Sequence, residues 1–484
     1  MDFFSILSLI GGLALFLYGM NVMGDGLAKV SGGKMERILE TLTSNPLKAV
    51  GLGAAVTAVI QSSSATTVMV VGFVNSGIMK LSQAVGVIMG ANIGTTITSW
   101  ILSLSGIESD NFFIQLFKPS TFSPVLAIVG VAFLMFAKSE KKKDIGMIFI
   151  GFAVLMFGME SMSGAVKPLA DVPEFTGILT QFSNPILGMI AGTILTAVIQ
   201  SSSASVGILQ ALCVTGAVSF DVAIPIIMGQ NIGTCVTALL SAVGANKNAK
   251  RAAMVHLYFN VIGTVIFMVL FYTMNSFIHF GFMGHAANAA GIAVVHTTFN
   301  VFATLFLLPF SRVLEKLATL TIRDKEEAKP AVQDVQTQLL DVRFLDKPAF
   351  AMEQSRHVVD NMAREAQDSL RTALSLIDRY DDKMAEEVMT LEDHVDRYED
   401  ALGTYLVKLS QKDLNQKDSH DLSIMLHCIG DFERISDHAV NIMQSAKEMN
   451  AKNMKFSDKA LQELHVIAKA VEDIFDSAYK VFAG

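Results

Sequence analysis

Thr57-Ala-Val-Ile-Gln61-Ser62-Ser63-Ser64-Ala65 recurs letter for letter as Thr196-Ala-Val-Ile-Gln200-Ser201-Ser202-Ser203-Ala204. Each copy lies at the centre of an apolar stretch, 47–76 and 186–215. As one helix, a stretch of about 30 residues would be about 45 Å long, well over the bilayer's hydrocarbon core of about 30 Å. The polar cluster breaks it instead. A backbone break at membrane depth survives only when buried in protein or lining a wet cavity. Each nine-letter segment therefore reads as the tip of a helical hairpin that enters and leaves the bilayer on one side.

The identity belongs to a longer repeat with a constant shift of 139 residues. Ser44-Asn45-Pro46 maps to Ser183-Asn184-Pro185. Ile88-Met-Gly-Ala-Asn92-Ile-Gly94-Thr95 maps to Ile227-Met-Gly-Gln-Asn231-Ile-Gly233-Thr234, and Gly19 falls on Gly158. No gap is needed over 13–98. Full membrane spans are expected near 4–23, 82–104, 121–138, 145–164, 221–244, 252–272 and 288–309. With 47–76 and 186–215 as hairpins and the C-terminal end in the cytoplasm, inside loops carry Lys29, Lys34, Arg37, Lys48, Lys80, Lys138, Lys141, Lys142, Lys143, Lys247, Lys250 and Arg251. Outside loops carry Lys118 and Lys167. If both stretches cross instead, the bias shrinks, so the positive-inside rule favours hairpins. Three full spans then separate the repeats, which makes them inverted, with both tips near the bilayer midplane. Secondary transporters place their sites there. The expected fold is an all-α polytopic membrane protein: inverted repeats with two re-entrant helical hairpins, followed by a soluble α-helical bundle. The protein is expected in the cell (inner or plasma) membrane, N-terminus outside and C-terminal domain cytoplasmic.

The chain is unevenly charged. Residues 1–310 hold 14 basic and 12 acidic side chains; the remainder holds 23 basic and 33 acidic. An acidic soluble part has the wrong sign for nucleic acid. Cys213, Cys235 and Cys428 have no metal spacing and read as reduced packing residues. Asp2 stands where a secretory signal would be basic, so the first apolar run is read as a membrane helix.

Residues 49–79, 82–107, 186–220 and 222–246 contain no Asp, Glu, Lys, Arg or His. A site at the tips is therefore built from hydroxyls, amides and backbone. Serines opening a helix supply N-caps and free N–H groups, an anion site helped by the helix dipole. Side-chain oxygens and unwound carbonyls suit a hard cation. A dianion loses many kcal/mol of hydration on entry. Two helix ends return about half a charge each. A cation must therefore accompany the anion. Sodium fits neutral oxygens better than a proton does, because no carboxylate or His lies in these segments. An intramembrane serine enzyme is excluded, since a nucleophilic Ser needs a base within reach.

The paired Gln-Ser-Ser-Ser segments, each followed by Gly-x-Asn-Ile-Gly-Thr, resemble the type II sodium/phosphate cotransporter family over roughly residues 1–310. The family's His-x-x-Phe-Asn stands here at His256–Asn260 and His296–Asn300. The resemblance implies that Gln61, Ser62, Ser63, Ser64, Thr66 and Gln200, Ser201, Ser202, Ser203 line phosphate and sodium sites, with Asn92, Thr95, Thr96, Asn231 and Thr234 in support. Departures stand at Phe117-Lys-Pro-Ser, in place of a basic residue and His-x-x-Phe-Asn, and at Cys235, in place of the Thr found at Thr96. The Asp-bearing Ala-rich motif of electrogenic animal members is absent. Stoichiometry, electrogenicity and direction stay open, as do export, another oxyanion as cargo, and a sensor without transport. His256 and His296 are read as interhelical hydrogen-bonding residues. Glu160, opposite Asn21 in the repeat map, is read as an ion ligand or an interface residue. Gly19 and Gly158 are read as sites of close helix packing.

The domain reading is 1–310 for the membrane body (repeat one about 4–138, repeat two about 145–309), 311–347 for an amphipathic exit segment and linker, and 348–484 for a helical bundle. Helices are expected near 349–379, 382–411, 418–449 and 457–482. Glu392 and Asp396, like Glu433 and Asp437, stand at i, i+4 on one helix face. Asp431-Phe-Glu433-Arg-Ile-Ser-Asp437-His438-Ala-Val-Asn441 resembles the PhoU domain signature, a family of phosphate-transport regulators. That resemblance implies a divalent or iron-type metal at the four carboxylates; a solvated acidic face is the alternative. PhoU proteins commonly have two three-helix repeats, so the bundle reads as incomplete, its other helices belonging to more chain or another subunit. Expected partners are phosphate, sodium and the lipid bilayer; a homo-oligomer is left open.

Overall fold

The computed structural model describes residues 3–31, 45–106, 118–323, 340–346, 348–414 and 416–483. Lys34, Arg37, Ser44, Phe117 and the linker stretch 324–339, all invoked above, lie outside the described residues. The chain divides into two compact units, Met1–Ala328 and Lys329–Gly484.

In the first unit α1 is Phe3–Ser31, α2 Pro46–Ile60, α3 Ser63–Asn75 and α4 Leu81–Ser103. Then follow α5 Pro119–Phe136, α6 Glu140–Val166, α7 Pro173–Gln181, α8 Pro185–Ile199 and α9 Ser202–Cys213. The last are α10 Phe220–Gly233, α11 Cys235–Ser241, α12 Lys247–Ile278, α13 Ala289–Leu307 and α14 Ser311–Thr321. Each expected span falls on a helix. Six are long and apolar enough to cross a membrane: α1, α4, α6, α10 with α11, α12, and α13 with α14. The seventh expected span, α5, is apolar but only 18 residues long. The short α7, which meets α8 at 101°, was not foreseen.

The Asn-Pro pairs start α2 and α8. Asn45 Oδ1 accepts the N–H groups of Leu47 and Lys48, and Asn184 Oδ1 those of Ile186 and Leu187. Proline follows at the first helical position, where its missing N–H costs nothing. Glycine then brings α2 onto α4. A β-carbon on Gly53 would lie 2.2 Å from the Val87 carbonyl oxygen, and one on Gly90 would lie 2.0 Å from that of Val50. The repeat reproduces both contacts: Gly192 against Ile226 at 2.1 Å and Gly229 against Met189 at 1.9 Å. Along α4, Gly86, Gly90 and Gly94 meet the carbonyls of Pro46, Val50 and Ala54 in turn, and along α10, Gly229 and Gly233 meet those of Met189 and Thr193, so α2 runs parallel to α4 and α8 to α10. Parallel docking requires two reversals between the docked helices. One lies at Gln61–Ser62 and at Gln200–Ser201, and the other just before α4 and α10.

Where like helices of the two repeats meet, numbers run oppositely. β-Carbons on Gly12, Gly19 and Gly26 would press on Met162, Leu155 and Ile148. Those on Gly151 and Gly158 would press on Met23 and Phe16. Under the 139-residue shift the Gly12–Met162 and Gly19–Leu155 contacts have their images in Gly151–Met23 and Gly158–Phe16, and the helices are antiparallel. This is an isologous two-fold arrangement inside one chain, with small residues admitting the backbones closely. The hairpins knit the repeats further. Helix α3 packs on α11 and α12, while α9 packs on α4, α6 and α13.

In the second unit α15 is Pro348–Ser375, α16 Asp382–Ser410, α17 Gln416–Ala451 and α18 Asp458–Ala483. Helices α15, α16 and α17 pack on one another, and Leu370, Ala373, Val388, Ala439 and Met443 belong to their core. Helix α18 sits at the edge. Polar ties hold it to α15, among them Arg371–Asp476 at 3.0 Å and Tyr479 donating to Asp360. Its residues Val466, Ile467 and Ile474 remain exposed. The expected linker 311–347 is structured at both ends. Helix α14 packs on α12 and α4, and residues 340–346 join the bundle through Phe344, whose ring meets Phe350 at 4.9 Å. Among the described residues there is no β-strand.

Gly229→Val forces a side chain into the Met189 backbone. It should destabilise the protein by about 1–3 kcal/mol or more, read as a lowered thermal midpoint in detergent. Gly164→Ala, with nothing within 4 Å, should leave the midpoint unchanged.

Candidate functional site

Both tips share one local design. Thr57 O accepts the Gln61 N–H at 2.8 Å and Thr196 O accepts that of Gln200 at 2.7 Å. Gln61 and Gln200 then turn left-handed, at φ 59° and 58°. Few non-glycine residues adopt this conformation, and it ends the helix at that point. The next residue starts the new helix. Ser62 Oγ accepts the Ala65 N–H at 3.1 Å, and Ser201 Oγ that of Ala204 at 3.2 Å. A side-chain bond crosses each break: Thr57 Oγ1 donates to Thr66 Oγ1 at 3.0 Å, and Thr196 Oγ1 to Ser205 Oγ at 2.9 Å.

The polar atoms fall into two classes. No hydrogen bond among the described residues uses the hydroxyl of Ser63, Ser64, Ser202 or Ser203, although Ser63, Ser202 and Ser203 are buried. These serines occupy the first two positions of α3 and α9, where backbone N–H groups have no helical acceptor. They offer donors. The threonines are arranged the other way. Thr66 Oγ1 donates to Ser62 O at 3.1 Å, Thr95 Oγ1 to Ala91 O at 3.1 Å, Thr96 Oγ1 to Ile93 O at 2.7 Å and Thr234 Oγ1 to Gln230 O at 2.9 Å. With the hydrogen committed, each offers outward only a lone pair, as a cation ligand must.

The tips differ in surroundings. Gln61 is buried; its Nε2 donates to Ala58 O and its Oε1 accepts from Thr98 Oγ1 at 3.0 Å. Gln200 is exposed. Asn231 Nδ2 donates to Ile227 O at 2.8 Å, whereas Asn92 Nδ2 is buried without a partner. Helix α4 runs through Thr95, but its counterpart breaks at Thr234 into α10 and α11. No hydrogen bond of the described residues joins the two tips.

Sequence reasoning missed Gln230. It is 1% exposed, and neither its Nε2 nor its Oε1 has a partner. The signal was present: Gln230 replaces Ala91 in an otherwise repeated motif. An unpartnered buried amide costs about 1–3 kcal/mol, so its retention points to a guest. Thr98, which orients Gln61, was also missed; its apolar neighbourhood gave no cue. His296 Nδ1 meets Ser99 Oγ at 2.7 Å across α13 and α4, the interhelical bond expected. His256 Nδ1 has no partner. Glu160 and Asn21 are exposed on α6 and α1, which gives no support to an ion-ligand role. All three cysteines are free.

In the second unit, α16 carries Glu392 and Asp396, and α17 carries Glu433 and Asp437. Burial, then Asp396, Asp437 and Asp393, raise the Glu392 carboxyl above its ordinary range. Burial, then Asp437, Asp396 and Glu399, do the same to Glu433, against a smaller opposing effect of Arg434. The carboxylates thus face one another between the helices. Yet among the described residues no group of three or more His, Cys, Asp or Glu is arranged to hold a metal ion.

A family model described as Na+/Pi-cotransporter matches residues 15–164 and 155–291, and one for the PhoU domain matches 359–446. The chain is 26% identical over 491 residues to YjbB of Escherichia coli O157:H7, named for inorganic phosphate export, covering 99% of this chain and 85% of that protein. It is 30% identical over 267 residues to the uncharacterized protein YqeW of Bacillus subtilis, 55% of this chain and 82% of that protein. It is 34% identical over 119 residues to human sodium-dependent phosphate transport protein 2B, 24% of this chain and 17% of that protein. No solved structure matches the chain significantly.

A carboxyl whose value is raised by folding stabilises the fold while protonated, and that contribution is lost as pH rises through the raised value. The double variant Glu392→Gln, Glu433→Gln should therefore melt a few degrees above the parent at pH 7. The gap should close below the ordinary value of 4.5. Unfolding of the second unit, followed in the full chain across pH, tests this.

Proposed function

The chain belongs to the Na+/Pi-cotransporter family, and from that premise we propose that it carries inorganic phosphate across the membrane together with sodium. The observation that carries this reading is the division of polar atoms at the tips. The hydroxyls of Ser63, Ser64, Ser202 and Ser203 and the free N–H groups at the start of α3 and α9 are donors suited to phosphate oxygens. The committed hydroxyls of Thr66, Thr95, Thr96 and Thr234, with Gln230 Oε1, are acceptors suited to sodium.

Charge supports the pairing. The hairpins and the helices after them carry no Asp, Glu, Lys, Arg or His over 49–79, 82–107, 186–220 and 222–246. Two helix N-termini supply about one positive charge together, so a phosphate dianion leaves about one negative charge unmet. Sodium supplies it. In this reading α2–α3 and α8–α9 are re-entrant hairpins entering from opposite faces, and exchange of exposure between the buried Gln61 and the exposed Gln200 gives alternating access. The second unit regulates from the cytoplasm.

Export has its own support. The relatives that align with 99% of this chain are named for phosphate export, and the human sodium-dependent transporter aligns with 24% of it. Export of phosphate uses the same site with the gradients reversed.

Labelled phosphate flux in proteoliposomes tests the reading in both directions. Uptake should rise with an inward sodium gradient and fall when sodium is replaced by choline. Sodium-independent flux would remove the coupling, and no flux either way would remove transport. Ser63→Ala and Ser202→Ala should each weaken phosphate binding by about 1–3 kcal/mol in equilibrium binding, with folding intact. Gln230→Leu should weaken the sodium dependence more than the phosphate affinity at saturating sodium.

A further inference from the structure

Helix α14 divides into three sectors. Leu314 and Ala318, 1% and 0% exposed, form the docked face, and the helix packs on α12 and α4. Phe310 just before the helix, with Val313 and Leu320 in it, is 51%, 51% and 57% exposed and makes an apolar edge. Beside that edge run Arg312, Lys316 and Arg323, all exposed. At 3.6 residues per turn Arg312 and Lys316 lie about 40° apart on the helix, and Arg323 follows just beyond its last residue, Thr321. No hydrogen bond or ion pair among the described residues uses them.

The far end of α14 is fixed in place. Arg251, 7% exposed, donates to Ile322 O from Nε at 3.0 Å and from Nη2 at 2.8 Å. Tyr258 Oη pairs with Thr321 Oγ1 at 2.5 Å. These bonds hold the last turn of α14 beside the first turns of α12, which carry Lys247 and Lys250. The apolar edge and the basic stripe therefore lie on a helix whose last turn is tied beside the start of α12, near Lys247 and Lys250.

We propose that this face of α14 binds anionic phospholipid. Water alone is a poor neighbour for Val313 and Leu320, and acyl chains alone are a poor neighbour for Arg312, Lys316 and Arg323, which no ion pair among the described residues neutralises. A lipid with a negatively charged headgroup satisfies both edges: its chain lies along Val313 and Leu320, and its phosphate meets Arg312, Lys316 and Arg323, whose long stems reach up to it. Helix α14 also packs on α4, the helix of Asn92, Thr95 and Thr96. Bilayer charge thereby becomes an input to a helix of the candidate site. The lipid claim does not depend on what that site carries.

The full chain with Cys428→Ser is reconstituted in phosphatidylcholine vesicles containing one quarter phosphatidylglycerol, with a spin label at Leu320→Cys. The label should be relaxed by oxygen and shielded from an aqueous nickel chelate. Protein re-extracted from these vesicles should retain phosphatidylglycerol in excess of its share. Arg312→Gln with Lys316→Gln should lower that excess about fivefold or more, while Arg312→Lys with Lys316→Arg preserves it. If the Gln pair does not fold, Lys316→Gln alone gives the comparison. Ready access of the nickel chelate would overturn the proposal, as would a label reached by neither reagent because protein covers it. So would equal phosphatidylglycerol retention in a folded Gln variant and its parent.

Discussion

A helix that ends inside an apolar stretch of chain leaves backbone groups in need of partners, and the described residues of this unit contain two such ends, at Gln61 and Gln200. The chain meets that demand locally. A left-handed glutamine ends α2 and α8, and a serine oxygen takes one N–H of the helix that follows. The solution is partial by construction. One serine caps one donor, and the first-turn N–H groups beside it remain open. The unmet donors lie next to Ser63, Ser64, Ser202 and Ser203, whose hydroxyls are also uncommitted. The break in the helix and the open donors beside it are one feature of the chain.

Placement of these tips rests on backbone proximity. Side chains between α2 and α4, or between α8 and α10, would push the hairpins off their supporting helices. Glycines at 53, 90, 192 and 229 remove them. Glycines also set α1 against α6 in a two-fold pair. The scaffold is thus symmetric to the level of individual contacts, while the sites are not. Gln61 is sealed by Thr98, Gln200 is exposed, and Gln230 stands where the other repeat has Ala91. One symmetric frame holds two unequal tips.

The second unit follows different rules. Small and medium apolar residues at helical spacing build a three-helix core, and acidic side chains collect between α16 and α17. Burial, and after it their mutual repulsion, raise two of the glutamates, Glu392 and Glu433. Helix α18 is tied on by charge and by one tyrosine, with apolar residues on both its faces.

The sequence by itself determined the helical class, the two broken stretches, the four long C-terminal helices and the glycine packing at Gly19 and Gly158. Those rest on local signals: apolar period, Asn-Pro starts, serine caps, and a repeat that held register over 13–98. It also marked most of the candidate site, because a polar cluster inside an apolar run is conspicuous without any partner. Only the tertiary structure decided which hydroxyl hydrogens are committed to carbonyls, that Gln230 is buried and unpartnered, and that Thr98 holds Gln61. It also showed that Glu160 is exposed, that burial and neighbouring carboxylates raise Glu392 and Glu433, and that α14 carries exposed cations beside an apolar edge. Spacing along a helix gives the face a residue occupies, but not what another helix brings against that face.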